Sequence, residues 1–198
     1  MKSNYTKFFL LALLAVFTLG SCSDDDDNGS SKLIVTLGAQ SNTSIGSFYS
    51  ISENKVYTQE TAYNNQENID LLCFYEFDDT HQNYTTIASP GSKITGIFTD
   101  ETAPDNWTTK NLTTFCQVSA ESLTVDQFDQ IKQDDAVIET YYDSVSFYKK
   151  AKVLKVDDIY AFKTQDGTYG LFKVLAVSDP EGETGWIKIE LKLKKITQ

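Results

Sequence analysis

The chain has 198 residues and a formal net charge of −11, an acidic balance that repels polyphosphate and argues against nucleic-acid binding. A single histidine and three cysteines argue against a histidine-based metal cluster, and the GxxxxGK, GxGxxG, GxSxG, CxxC and HExxH patterns are absent. Neither a cofactor nor a metal is therefore expected, and no internal repeat of fixed period appears.

The chain opens "MKSNYTK" and continues "FFLLALLAVFTL" from Phe8 to Leu19. As a helix this apolar run reaches about 18 Å at roughly 1.5 Å per residue, short of the roughly 30 Å of a bilayer core. A basic start, a short apolar run and small residues after it are the anatomy of a secretory signal peptide. "Leu19-Gly20-Ser21-Cys22" resembles the lipobox of bacterial lipoproteins. The chemistry needs that pattern: a thiol as the acyl acceptor, and small residues before it that enter a narrow protease site. Two or more acyl chains at Cys22 would give a durable membrane anchor where one would not. Residues 1–21 are thus expected to be a signal peptide, and their removal takes away Lys2 and Lys7 and moves the charge to −13.

Residues 22–31 follow as a lipidated acidic tether. As physics, "SDDDDNGSS" is a solvated segment without apolar anchors. Ser23, Asp24, Asp25, Asp26 and Asp27 directly after the cysteine also resemble the export signal of surface lipoproteins in the Bacteroidetes. That resemblance implies an outer-membrane location facing the cell exterior. Retention at the inner membrane, which an aspartate after the cysteine signals in enteric bacteria, is the competing reading.

Residues 32–198 are expected to form one globular domain with a core of its own. "KLIVTLGAQ" reads as a first strand, and "GSFYSISENKVYT" as a hairpin turning at "SENK". Thr58 is an N-cap for a short helix, and "DLLCFYEF" is a strand apolar on both faces, hence central. "NYTTIASPG" is a strand stopped at Pro90-Gly91. The polar loop around Trp107 leads to the strand "LTTFCQVS". Thr124 with Gln127 then forms a capping box that opens a helix with Val125, Phe128 and Ile131 on one face.

The last third is a meander. Asp166-Gly167 between two strand patterns predicts a two-residue hairpin. "WIKIELKLKK" alternates, with Ile187, Ile189, Leu191 and Leu193 toward a core and Lys188, Glu190, Lys192 and Lys194 toward water. The expected fold is α+β: a mainly antiparallel sheet with one or two helices and a C-terminal three-stranded meander. From Ile34 onward, "GSFYSISENKVYT", "IDLLCFY" with "IASP", and "AFKTQDGTYGLFKV" resemble uncharacterised lipoproteins of the same bacteria, a likeness that implies no activity.

Chemistry-bearing residues are few. Cys73 and Cys116 sit in strand-like stretches and are either a disulfide, permitted in an oxidising compartment, or two buried thiols. His81 lies in a polar stretch and is the sole candidate for a Ser-His-Asp triad. The acidic pairs Asp78-Asp79, Asp134-Asp135 and Asp157-Asp158 fit loop and cap duties, and the Asp179–Glu183 loop fits a plain acidic turn better than a calcium site. Tyr141, Tyr142, Phe147, Tyr148 and Trp107 are candidate sugar platforms or half-buried packing residues. "Asp143-Ser144-Val145" resembles the three-residue O-glycosylation sequence of the Bacteroidetes, which makes Ser144 a candidate acceptor. Two functions stand at this point. One is a non-catalytic module binding a glycan or a cell-surface protein or serving as an accessory subunit; the other is a small carboxylate-dependent glycan hydrolase.

Overall fold

A computed structural model of the chain describes residues 32–194. The expectations for the signal peptide, Cys22, Ser23 and Asp24 to Asp27 lie outside the described residues. Ten strands form two five-stranded sheets, every pairing antiparallel. Sheet A contains β1 (Leu33–Gly38), β10 (Trp186–Lys194), β9 (Tyr169–Val177), β8 (Ile159–Lys163) and β6 (Thr114–Val118), in that spatial order. Sheet B contains β3 (Lys55–Tyr57), β2 (Phe48–Ser50), β4 (Leu71–Asp78), β5 (Gln82–Ala88) and β7 (Lys150–Ala151). Three short α-helices complete the set: α1 (Gln59–Tyr63), α2 (Val125–Gln130) and α3 (Val137–Thr140). The fold is α+β with few helices, and β8, β9 and β10 are the expected C-terminal meander.

The two-residue period of the strands decides the layering. Alternate residues of both sheets meet in a central core: Leu37, Tyr49, Leu71, Cys73, Ile87, Phe115, Phe162, Phe172 and Ile189 are all essentially inaccessible to water. The intervening residues face outward, yet they are covered too. On sheet B, Phe48, Leu72 and Phe74 pack under Ala62 of α1 and under Ile94, Phe98 and Trp107 of the long loop after β5. On sheet A, Cys116, Ile159, Ala161 and Leu171 pack under Leu123, Phe128, Ile131 and Ile138. The hydrophobic stabilisation is therefore divided over three clusters, the central one bounded by both sheets.

Local signals account for the ends of elements. Thr58 Oγ1 accepts from the Thr61 N–H and starts α1. At α2, Thr124 Oγ1 accepts from the Gln127 N–H at 3.2 Å while Gln127 Oε1 accepts from the Thr124 N–H at 2.9 Å, the reciprocal capping box. The helix ends at Gln130, and the chain then guards a sheet edge. Beyond Leu191, β10 has no β1 residue opposite, and Gln133 fills that gap. Its Nε2 donates to the Leu191 carbonyl and its Oε1 accepts from the Leu193 N–H, both at 2.8 Å. Covering an open strand in this way removes a template for unwanted pairing.

Two expectations change and one open alternative is settled. The β8–β9 turn is a three-residue loop, Gln165 to Gly167, not a two-residue one. The Thr164 N–H donates to the Thr168 carbonyl, the Gly167 N–H donates back to Thr164, and Gly167 takes φ 93°, which a side chain would strain. The outward face of β10 is solvated only in part: Lys188 is exposed and Lys194 half-buried, but Glu190, Lys192 and the neighbouring Lys173 of β9 are buried beneath α2. The alternation was real, but a helix lies on the polar side. The two internal cysteines form no bridge, since Cys73 faces the central core and Cys116 the outer side of sheet A, and both thiols are free.

Candidate functional site

Charged side chains under α2 make one compact group. Glu190 Oε2 lies 3.4 Å from Lys32 Nζ and 3.9 Å from Lys173 Nζ, and Oε1 lies 3.0 Å from Lys192 Nζ. Lys173 also donates to Asp129 of α2. The Phe128 ring caps the group, 5.0 Å from the Lys173 nitrogen and 5.5 Å from that of Lys192. These charges pair with one another beneath α2, Glu190 Oε1 meeting the Lys192 charge without a hydrogen bond, and the covering helix marks the group as structural.

Open concave surface occurs elsewhere. A cleft of about 410 Å³ runs beside Val118, Leu123 and Ile159, but its Asp158 carboxylate is committed to the Lys155 N–H at 2.8 Å. Another, of about 350 Å³, holds His81, Tyr84, Lys155 and Glu181. There His81 Nδ1 is 3.1 Å from both Asp78 oxygens. The backbone N–H and ring of His81 hold the Asp78 carboxyl well below the usual carboxylate range. The lining contains neither Ser nor Cys, so the triad open to His81 in the sequence lacks its nucleophile.

A third cleft, of about 390 Å³, brings together residues far apart in sequence: Ser52, Glu67, Asn68, Asp70, Asn111, Gln165 and Asp166. Asp70 stands just before β4, and its Oδ2 accepts from the Ile51 N–H at 2.8 Å. Its backbone is fixed as well, the N–H donating to Tyr49 and the carbonyl accepting from Thr113 Oγ1. Gln165 and Asp166 come from the tip of the three-residue β8–β9 loop. Gln165 Oε1 accepts from the Leu112 N–H at 2.9 Å, and Asp166 Oδ1 accepts from Thr164 Oγ1 and from the Thr168 N–H. Asn111 Nδ2 donates to the carbonyls of Glu67 and Ile69, and Asn68 Nδ2 donates to Glu53.

The two aspartates of this cleft sit in different electrostatic surroundings. Burial pushes the Asp70 carboxyl up to about 6; the Ile51 N–H opposes the shift and the charge of Asp166 adds to it. Burial acts upward on Asp166 too, but hydrogen bonds from Thr164 and Thr168 outweigh it and hold that carboxyl below its ordinary value. One carboxyl thus titrates near neutrality while its neighbour stays ionised.

The fold in which this cleft sits has a solved counterpart. The chain is similar in structure to a DUF4466 family protein from Parabacteroides merdae ATCC 43184, with a TM-score of 0.52 and 13% sequence identity. The match covers 82% of this chain and 53% of that one, so the chain spans about half the length of its structural relative. No family model and no curated protein matches the sequence. At this identity the likeness concerns the fold.

The remaining sequence candidates are scattered. Trp107 is buried, its ring 5.4 Å from Phe48 and its Nε1 donating to the Thr102 carbonyl at 2.8 Å, so it is a packing residue and not a sugar platform. Tyr142 is tied to Thr114 and meets Tyr169 edge-on. Ser144 is exposed on a strap between α3 and β7, beside Val145, Phe147 and Tyr148, which are exposed too. Cys116 holds that strap, its single S–H lying between the carbonyls of Asp143 and Ser146, each 3.4 Å from the sulfur. Glu181 and Glu183 of the acidic loop accept from Thr85 and Ser41. Among the described residues no three His, Cys, Asp or Glu side chains are placed to hold a metal, and no helix is long and apolar enough to cross a membrane.

Proposed function

We propose that the chain is an outer-membrane lipoprotein, anchored through Cys22 and displayed at the cell surface, whose domain is a non-catalytic binding or accessory module. The anchor and address rest on "LGSC" followed by Ser23 and Asp24 to Asp27. The binding role rests on one observation: the Asp70 cleft is lined by polar side chains that the scaffold fixes at one end and leaves open at the other. Pre-positioned polar groups of this kind lower the ordering cost of binding. In the cell, Cys22→Ala leaves the protein unlipidated, and alanines at Asp24 to Asp27 keep the lipid but lose surface display. Protease shaving of whole cells reads this out; shaving of the alanine variant equal to that of the parent would sink the surface reading.

A second reading, a small glycan hydrolase, is favoured by the opposite displacement of Asp70 and Asp166 in one cleft, the pattern of an acid paired with an ionised partner. Reporter glycosides test it. Turnover that Asp70→Asn abolishes would establish the hydrolase, and silence across the set would leave the binding module.

A further inference from the structure

We infer that the Asp70 cleft binds a neutral carbohydrate through its hydroxyl groups, an inference that rests on the binding-module reading. Its starting point is the hydrogen-bonding capacity left over once the scaffold has been satisfied. Gln165 uses its oxygen on the backbone, which leaves the Nε2 donor unengaged. Asn111 uses both N–H groups and Asn68 one, which leaves two amide oxygens as acceptors and one Asn68 N–H as a donor. Asp70 uses Oδ2, leaving Oδ1. None of these remaining ends has a protein partner among the described residues, and the residues that carry them all line the cleft.

The inventory is rich in acceptors and contains donors. A hydroxyl group both donates and accepts, so a polyhydroxylated ring satisfies such a set in a way that an apolar or purely accepting ligand cannot. Glu67, Asp70 and Asp166 with no lysine or arginine in the lining repel anionic ligands. No aromatic ring lines the cleft, which removes the platform a nucleobase or apolar ligand would need. Three carboxylates would also suit an ammonium group, but the amides supply most of the open ends and carry no preference for charge. A volume of about 390 Å³ lies within the range of small-ligand sites.

Titration calorimetry on the full-length mature protein in detergent tests the inference. The probes are neutral glucose, mannose and N-acetylglucosamine trisaccharides, with a galacturonate trisaccharide and trilysine as charged comparisons. At least one neutral trisaccharide binds, the galacturonate does not, and trilysine binds more weakly. Gln165→Glu removes its amide donor but keeps the oxygen that holds Leu112, and Asp70→Asn keeps the oxygen that holds Ile51 while turning the open acceptor Oδ1 into a donor. Each weakens the neutral sugar ten-fold or more, and neither lowers the thermal melt. Sugar binding that both variants leave unchanged overturns the cleft assignment while leaving the binding-module reading in place. Silence toward every neutral sugar, or preference for trilysine, overturns the carbohydrate. Reducing ends released during the titration would replace the non-catalytic reading and leave the ligand class standing.

Discussion

Asp70 and Asp166 reach the same cleft from different sheets, and the negative charge of Asp166 helps to keep the Asp70 carboxyl protonated to an unusually high pH. Asp70 precedes β4 of sheet B and Asp166 sits at the β8–β9 tip of sheet A. The pair therefore ties a titration to the contact between the two layers.

The first prediction concerns pH. A carboxyl that titrates at about 6 in the folded chain and near its ordinary value when unfolded makes the folded state bind more protons between those limits. Stability then falls as pH rises through that window and is fully reduced above about pH 6. The size is roughly 2–3 kcal/mol at about 1.4 kcal/mol per unit. Urea denaturation from pH 4 to 8 shows the slope in the parent. In Asp70→Asn the slope is largely removed, and at pH 8 the variant is the more stable of the two.

A second prediction concerns the buried charges. Glu190 is virtually inaccessible, with Lys173 and Lys192 against it at 5% and 8% side-chain exposure. Glu190→Ala leaves Lys173 and Lys192 under Phe128, with Lys32 at their edge and only Asp129 to balance the three. Breaking a buried pair from one side costs about 3–5 kcal/mol. Replacing Glu190, Lys173 and Lys192 together by Leu, Met and Met costs far less than that single change. Equal losses for the two variants, measured by denaturation midpoint, would contradict the argument.

Gly170 supplies a third. On β9 it stands opposite Phe162 of β8, and a Cβ there would overlap the Phe162 ring. The ring cannot retreat without disturbing Phe115 and Phe172, whose centroids lie about 6.5 and 6.4 Å away. Gly170→Ala is expected to lose about 1–3 kcal/mol through overpacking. Gly170→Ala combined with Phe162→Leu recovers part of the loss, readable as a rise in melting temperature over the single variant.

The strap held by Cys116 gives the fourth. Cys116→Ala removes the one S–H that the carbonyls of Asp143 and Ser146 share, at a cost of about 1 kcal/mol. Amide exchange should quicken at residues 144–147 and stay unchanged in β8 and β9. Mass spectrometry of the protein from its native cells tests Ser144 as a glycan acceptor on the same strap.

Much of the fold could be read locally. The Thr124–Gln127 box and the Thr58 cap rest on neighbours a few residues apart, and both took the expected form. The two-layer arrangement rests on pairings such as Leu33 with Leu191, which no local period encodes. The same limit hid the charge cluster, because the alternation of β10 says which side is polar and not what covers it. The cleft was hidden for a related reason. Its residues come from four separate stretches, and the clearest local mark, Asp166-Gly167, reads as turn chemistry. Only the extra loop residue, Gln165, turns that hairpin tip into a wall of the cleft.

The register of sheet A carries one more consequence. Tyr169 opposes Lys194, and Leu33 opposes Leu191, so the β8–β9 tip lies at the end of the sheet where the chain enters β1. In the lipid-anchored form proposed above, the wall of the cleft made by Gln165 and Asp166 would therefore lie at the anchored end of the sheet. Residues 22–31, drawn out fully, span no more than about 35 Å. Long polymers would have to thread the gap between bilayer and domain, whereas short fragments diffuse in freely. Leash length, adjustable without touching the fold, would then act as a size filter.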